Sequence, residues 1–100
     1  MKEEVFNQFV TKVCDLFKLK KEEFFEATKR REVADARHLV YYLCYKRPMH
    51  LKYIQNFMAN NGYSIAHSTI IHGISVVESK MAEDLDYQSI VKKIDNETFI

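Results

Sequence analysis

Residues 50–74 read HLKYIQNFMANNGYSIAHSTIIHGI, and the division of this stretch decides the fold. Leu51, Ile54, Phe57 and Met58 recur at helical spacing. Asn61-Gly62 follows them, a pair suited to a left-handed helix C-cap. After a short polar run, Ile70, Ile74, Val77 and Met81 form a second apolar stripe of the same period. The reading is two helices, 50–61 and 66–81, joined by a compact turn. His67, Ser68, Thr69 and His72 crowd the start of the second helix. That start is therefore a metal site, a catalytic group, a helix cap or a surface that meets a partner.

The flanking sequence is helical as well. Val5, Phe6, Phe9, Val10, Val13, Leu16 and Phe17 make one stripe over residues 3–17. Leu19, Phe24 and Phe25 anchor a short second helix, with Glu22 and Glu23 near its positive N-terminal end. The charged break TKRR (28–31) precedes a longer helix, from about Glu32 to Arg47, carrying Val33, Ala36, Leu39, Val40, Leu43 and Cys44. Pro48 stops it. A last short helix runs through Tyr87, Ile90, Val91 and Ile94. With Phe99 these give an acidic C-terminal segment an apolar face, expected to fold back on the bundle as a monomer rather than to dimerise.

Composition agrees. One hundred residues suffice for a single domain, 1–100, and two Gly and one Pro leave little material for the turns of a many-stranded β fold. The expected class is all-α, a bundle of five to six helices. Cys14 and Cys44 both fall on apolar faces and read as reduced, buried thiols of a cytoplasmic protein. The charged start MKEEVFNQF is unlike a signal peptide, and no apolar run approaches the roughly 18 residues of a membrane span. Charge is uneven: residues 18–52 hold ten Lys/Arg against five acids, and residues 53–100 hold three against six. A basic middle with an acidic tail suits an anionic partner on one face, or simply a solvated helix surface.

The four readings of the 66–74 start separate on spacing. His67 and His72 are five apart and point about 140° away from each other on a helix, whereas a helical two-histidine metal site uses positions four apart. No C-x-x-C pair occurs, and His38 and His50 stand alone. No metal or cofactor is expected. Ser68 beside His67 diverges from it on a helix, and no nucleophile elbow or Gly-rich phosphate loop is present, so no catalytic residue and no enzyme activity is expected. Ser64, Ser68 or Thr69 suits a cap, but capping explains only one hydroxyl and neither the histidine nor the basic stretch upstream. The pair of helices has the outline of a helix-turn-helix, in which short polar side chains in the first turn of the second helix reach base edges. AHST fits that use.

Three stretches together resemble the C-terminal duplex-DNA-binding domain of the bacterial replication initiator DnaA. VTKVCDLFKLKKEEFFEATKRR (10–31) is similar to the family's first helix, short second helix and basic loop. VADARHLVYYL (33–43) is similar to its segment of small residues, Arg-Gln and an aliphatic helix. AHSTIIHGI (66–74) resembles the signature Asp-His-(Thr/Ser)-Thr-(Val/Ile)-x-His-Ala. The order agrees over residues 10–82. The resemblance implies a Trp-repressor-like helix-turn-helix with double-stranded DNA as partner. It assigns Lys29, Arg30 and Arg31 to phosphates and the minor groove, Arg37 to a backbone or DNA-facing role, and His67, Ser68 and Thr69 to the major groove and its rim. His72 matches the second signature histidine, with a structural role or a DNA contact. The chain departs from the family at Ile65 and Ala66, where the signature has Arg-Asp, and at Asp35, where some members carry a minor-groove Arg. It has no nucleotide-binding loop.

Two functions follow. One is a stand-alone DNA-binding protein: an accessory replication factor, a competitor for initiator sites or a small transcriptional regulator. The other is a helical interaction module that kept the fold and lost DNA binding, with a replication or transcription protein as partner and Tyr41, Tyr42, Tyr45, Tyr53 and Tyr63 as its surface.

Overall fold

The apolar stripes of the sequence meet in one core, and the third helix runs through its middle. In the computed structural model, which describes residues 1–98, the chain forms α1 (Lys2–Phe17), α2 (Lys21–Phe24), α3 (Arg31–Tyr45), α4 (Leu51–Asn60), α5 (His67–Glu83) and α6 (Leu85–Asn96). Among the described residues there is no strand. α3 packs against each of the other five helices, and its interface with α5 is the largest. This central place explains why eight α3 residues are buried, including Arg37 among the apolar side chains. Phe6 and Phe9 of α1, Phe24 of α2, Leu39 and Leu43 of α3, Ile54 and Met58 of α4, and Ile70 of α5 are fully enclosed.

Helix ends follow local chemistry. At the end of α4, the Gly62 N–H donates to the Ala59 carbonyl (2.9 Å) and the Tyr63 N–H to the Met58 carbonyl (3.0 Å). Gly62 sits at φ 91°, so the expected left-handed cap is present. The end of α1 uses the same bonding pattern without a glycine. Lys18 lies at φ 56° and ψ 45°, its N–H donates to Asp15, and the Leu19 N–H donates to Cys14. A side chain with a Cβ costs roughly 1 kcal/mol there. Lys18 is exposed, so Lys18→Gly is expected to gain about 1 kcal/mol, read as a higher urea midpoint at constant slope.

α6 folds back onto α1, α3 and α5, burying Val91 and Ile94, with Tyr87 half-buried. Phe99, expected on this face, lies outside the described residues. Ile90 stays partly exposed. The Asp84 side chain caps α6 by accepting from the Asp86 and Tyr87 N–H groups. Arg47 clasps the helix end, donating to Asp95 Oδ1 (3.0 Å), the Asp95 carbonyl (2.8 Å) and the Thr98 carbonyl (2.8 Å). Cys14 and Cys44 are buried free thiols. Burial pushes the Cys14 thiol up to about 11 and raises that of Cys44 as well, so both stay protonated.

Candidate nucleic-acid interface

The first turn of α5 projects from a rigid base. The connection from α4 is closed by the bonds at Gly62 and Tyr63, and Gln55 Nε2 of α4 donates to the Ile65 carbonyl at 2.7 Å. Ala66 occupies the N-cap position, and no side chain accepts from the first turn. Ser64, Ser68 and Thr69, each of which suits a cap by residue type, therefore do not cap the helix. Ser64 lies two residues before the cap, and Ser68 and Thr69 lie inside the helix. His67, Ser68 and Thr69 are all exposed. A helix start with exposed polar side chains and no side-chain cap directs its positive dipole end outward.

The basic loop is less uniformly cationic than its sequence. Lys29 and Arg31 are exposed and enter no ion pair among the described residues. Arg30 instead bridges two acids, with Nη1 3.0 Å from Glu23 Oε2 and Nε 3.0 Å from Glu32 Oε1. The Lys20 N–H first, and then Arg30, hold the Glu23 carboxyl below its ordinary value. Of the ten basic residues between 18 and 52, Arg30, Arg37 and Arg47 are thus engaged within the fold.

Arg37 requires a correction. Assigned by the resemblance to a backbone or DNA-facing role and counted with the DNA-binding residues, it is 4% exposed, which leaves the backbone role. Its Nε donates to the Phe24 carbonyl (2.7 Å), Nη2 to the Glu26 carbonyl, and Nη1 to the Tyr63 hydroxyl (3.1 Å). Its guanidinium carbon lies 4.1 Å from the Tyr63 ring centre. Phe24 and Glu26 present carbonyls at and just past the end of α2, where the helix supplies no i+4 donor, and a planar fork of donors suits them. The side chain works inside the molecule.

His72 is exposed on α5 and meets the edge of His38 on α3, with ring centroids 5.8 Å apart. Burial lowers the His38 pKa against the opposing pull of Asp35. Asp35 is itself paired with Lys80 at 3.4 Å. The crossing of α3 and α5 is tight: a Cβ built on Gly73 would lie 2.8 Å from His38 Cδ2 and 2.9 Å from Tyr41 Cδ2.

One part of the surface was missed by sequence reasoning. His50, Leu51, Lys52, Tyr53, Asn56 and His67 line a groove of about 610 Å³ between the starts of α4 and α5. Lys2 Nζ approaches the Tyr53 ring, 5.0 Å from its centre. The groove's lining includes no acid. The available signal was Lys52 in the first turn of the first helix of the pair, where a helix-turn-helix crosses the nucleic-acid backbone.

A family model described as the bacterial DnaA protein helix-turn-helix matches residues 7–77 of the 100. The chain belongs to this family. The DnaA-family match covers most of α1, all of α2 to α4, the turn and most of α5, and so contains the basic loop, the residues lining the groove and the exposed first turn. α6 lies beyond it. No curated protein and no solved structure matches the chain. Among the described residues no three His, Cys, Asp or Glu side chains come together as metal ligands would, and no helix is long and apolar enough to cross a membrane. The signature alanine of DnaA-family members is Gly73 here, at the point where α3 leaves no room for a methyl group.

Proposed function

We propose that the protein binds double-stranded DNA through the α4–α5 pair and the basic loop. The observation that carries this reading is the exposed first turn of α5, His67-Ser68-Thr69, standing off a packed helix pair in a member of the DnaA helix-turn-helix family. Ala66, Ser68 and Thr69 are small, so the helix can enter a major groove about 12 Å wide without being held away from the bases. His67 supplies a ring that donates or accepts at a base edge. Lys29 and Arg31 meet phosphates as unpaired cations, and Lys52 does the same from the groove at the start of α4. Arg30, shared between two carboxylates, contributes less than its position in the sequence suggests.

The departures at Ile65 and Ala66 shape the preference. A cytosine amino group is read by a carboxylate acceptor, which alanine lacks. The expected preference is therefore looser than, or different from, that of proteins with the full signature. The roles that fit a DNA-binding domain of this size are accessory replication factor, competitor for initiator sites and small transcriptional regulator. Selection of bound sequences from a random duplex pool tests the reading. A recovered motif supports it, and an unenriched pool removes base reading. On the recovered site, His67→Ala is expected to cost about 1–3 kcal/mol and relax one position. Lys29→Ala is expected to weaken all duplexes alike and reduce the salt slope by about one unit. A His67→Ala protein that binds every duplex as wild type does would remove His67 from base reading.

One observation favours the interaction module instead. Tyr45, Leu51, Ile71 and Ile74 border a pocket of about 340 Å³, with Tyr45 and Ile71 well exposed. The tyrosines proposed for such a surface do not all serve it, because Tyr41 is buried and Tyr63 is held by Arg37.

A further inference from the structure

Arg37 touches both halves of the candidate interface at once. On one side it holds the carbonyls of Phe24 and Glu26, five and three residues before Lys29. On the other it holds the ring and hydroxyl of Tyr63, four residues before His67. We infer that Arg37 and Tyr63 form a tie that makes the basic loop and the start of α5 one rigid unit, so that backbone and base contacts to a duplex form together. This inference rests on the DNA-binding reading, and Tyr63 is in it a positioning residue rather than a DNA contact.

Both ends of the tie are stiff enough to transmit a displacement. The Glu26 carbonyl accepts from Arg37 and also from the Thr28 N–H at 2.8 Å. Thr28 Oγ1 then accepts from the Arg30 N–H, and Arg30 is locked by Glu23 and Glu32. At the other end Tyr63 donates its backbone N–H to Met58, and two residues later the Ile65 carbonyl is pinned by Gln55. Arg37 makes no ion pair among the described residues, so its fork is free to join elements rather than to neutralise an acid. Tyr63 is half-buried and faces the guanidinium, which makes it a joint rather than a reading residue. Holding two contact regions at fixed separation raises the effective concentration of the second once the first has bound.

The test uses the whole chain as wild type, Tyr63→Phe and Tyr63→Leu, with cooperative thermal unfolding checked first. Tyr63→Phe keeps the ring over Arg37 and loses only the hydroxyl bond. In the free proteins, amide exchange at Phe24, Phe25 and Glu26 is expected to quicken about tenfold or more in Tyr63→Leu, with a smaller change in Tyr63→Phe and little change in α1. On the selected duplex, Tyr63→Leu is expected to bind about tenfold more weakly with an unchanged salt slope, because no phosphate contact is lost. Unchanged exchange at α2 in Tyr63→Leu would overturn the tie without reference to DNA. Quickened exchange with wild-type duplex affinity would overturn its role in binding. A wild-type protein that binds no duplex would overturn the DNA-binding reading itself, an outcome visible before any variant is made.

Discussion

Arg37→Met is expected to lower folding stability by about 3 kcal/mol, the largest loss from a single substitution outside the purely apolar core. Methionine fills much of the same volume and removes the charge, so packing is largely kept. What is lost is the set of donors to Phe24, Glu26 and Tyr63. The carbonyl of the buried Phe24 is then left without its donor where water has poor access, while the Glu26 carbonyl keeps only the Thr28 N–H. Arg37→Lys is expected to recover only part of the loss, since a single ammonium cannot reproduce a planar fork aimed at three acceptors. Urea unfolding checks both variants. A loss below about 1 kcal/mol for Arg37→Met would mean that water replaces the guanidinium freely and that α2 does not depend on it.

Gly73→Ala is the second large effect, and its sign is the informative part. In an exposed helix this change gains about 1 kcal/mol. Here the added methyl would meet Tyr41 Cδ2 at 2.9 Å and His38 Cδ2 at 2.8 Å, and the Tyr41 ring is 1% exposed and has nowhere to go. Overpacking of this kind costs about 1–3 kcal/mol. With two rings to displace, the net expectation is a loss of about 2 kcal/mol. Thermal unfolding that shows Gly73→Ala to be as stable as wild type would mean that α3 and α5 separate easily at their largest interface. The substitution also bears on the family signature, which carries alanine at this place. This chain pairs its glycine with a histidine and a tyrosine on the facing helix.

Periodicity made the helices legible, because each of the longer ones buries an apolar stripe, although α3 also buries Arg37 and Tyr41 and Leu16 of the α1 stripe stays exposed. Val5 to Phe17, Leu39 to Cys44 and Ile70 to Val77 needed no tertiary information. The Asn61-Gly62 cap was legible too, since a positive φ after a helix has few residues to choose from. Lys18 in the same conformation was not, because nothing in a lysine announces it. The partners of the arginines were not legible. A run such as TKRR looks like free positive charge, but the partners of Arg30 and the carbonyls held by Arg37 lie up to 13 residues away in sequence. Arg47 is a larger case, its partners about 50 residues distant. Sequence spacing carries no information about which cation will find an acceptor across the core. Whether Ser64, Ser68 or Thr69 caps the helix was no more legible: capping depends on which residue takes the N-cap dihedral, and Ala66 takes it.

The DNA-binding reading is tested most directly by a salt titration of the wild-type protein with random duplex DNA. Lys29, Arg31 and Lys52, if each meets one phosphate, predict a log K against log salt slope of about −3, with measurable association at low salt. A flat dependence, or no association even at low salt, would contradict duplex binding and leave the interaction module as the function of this fold.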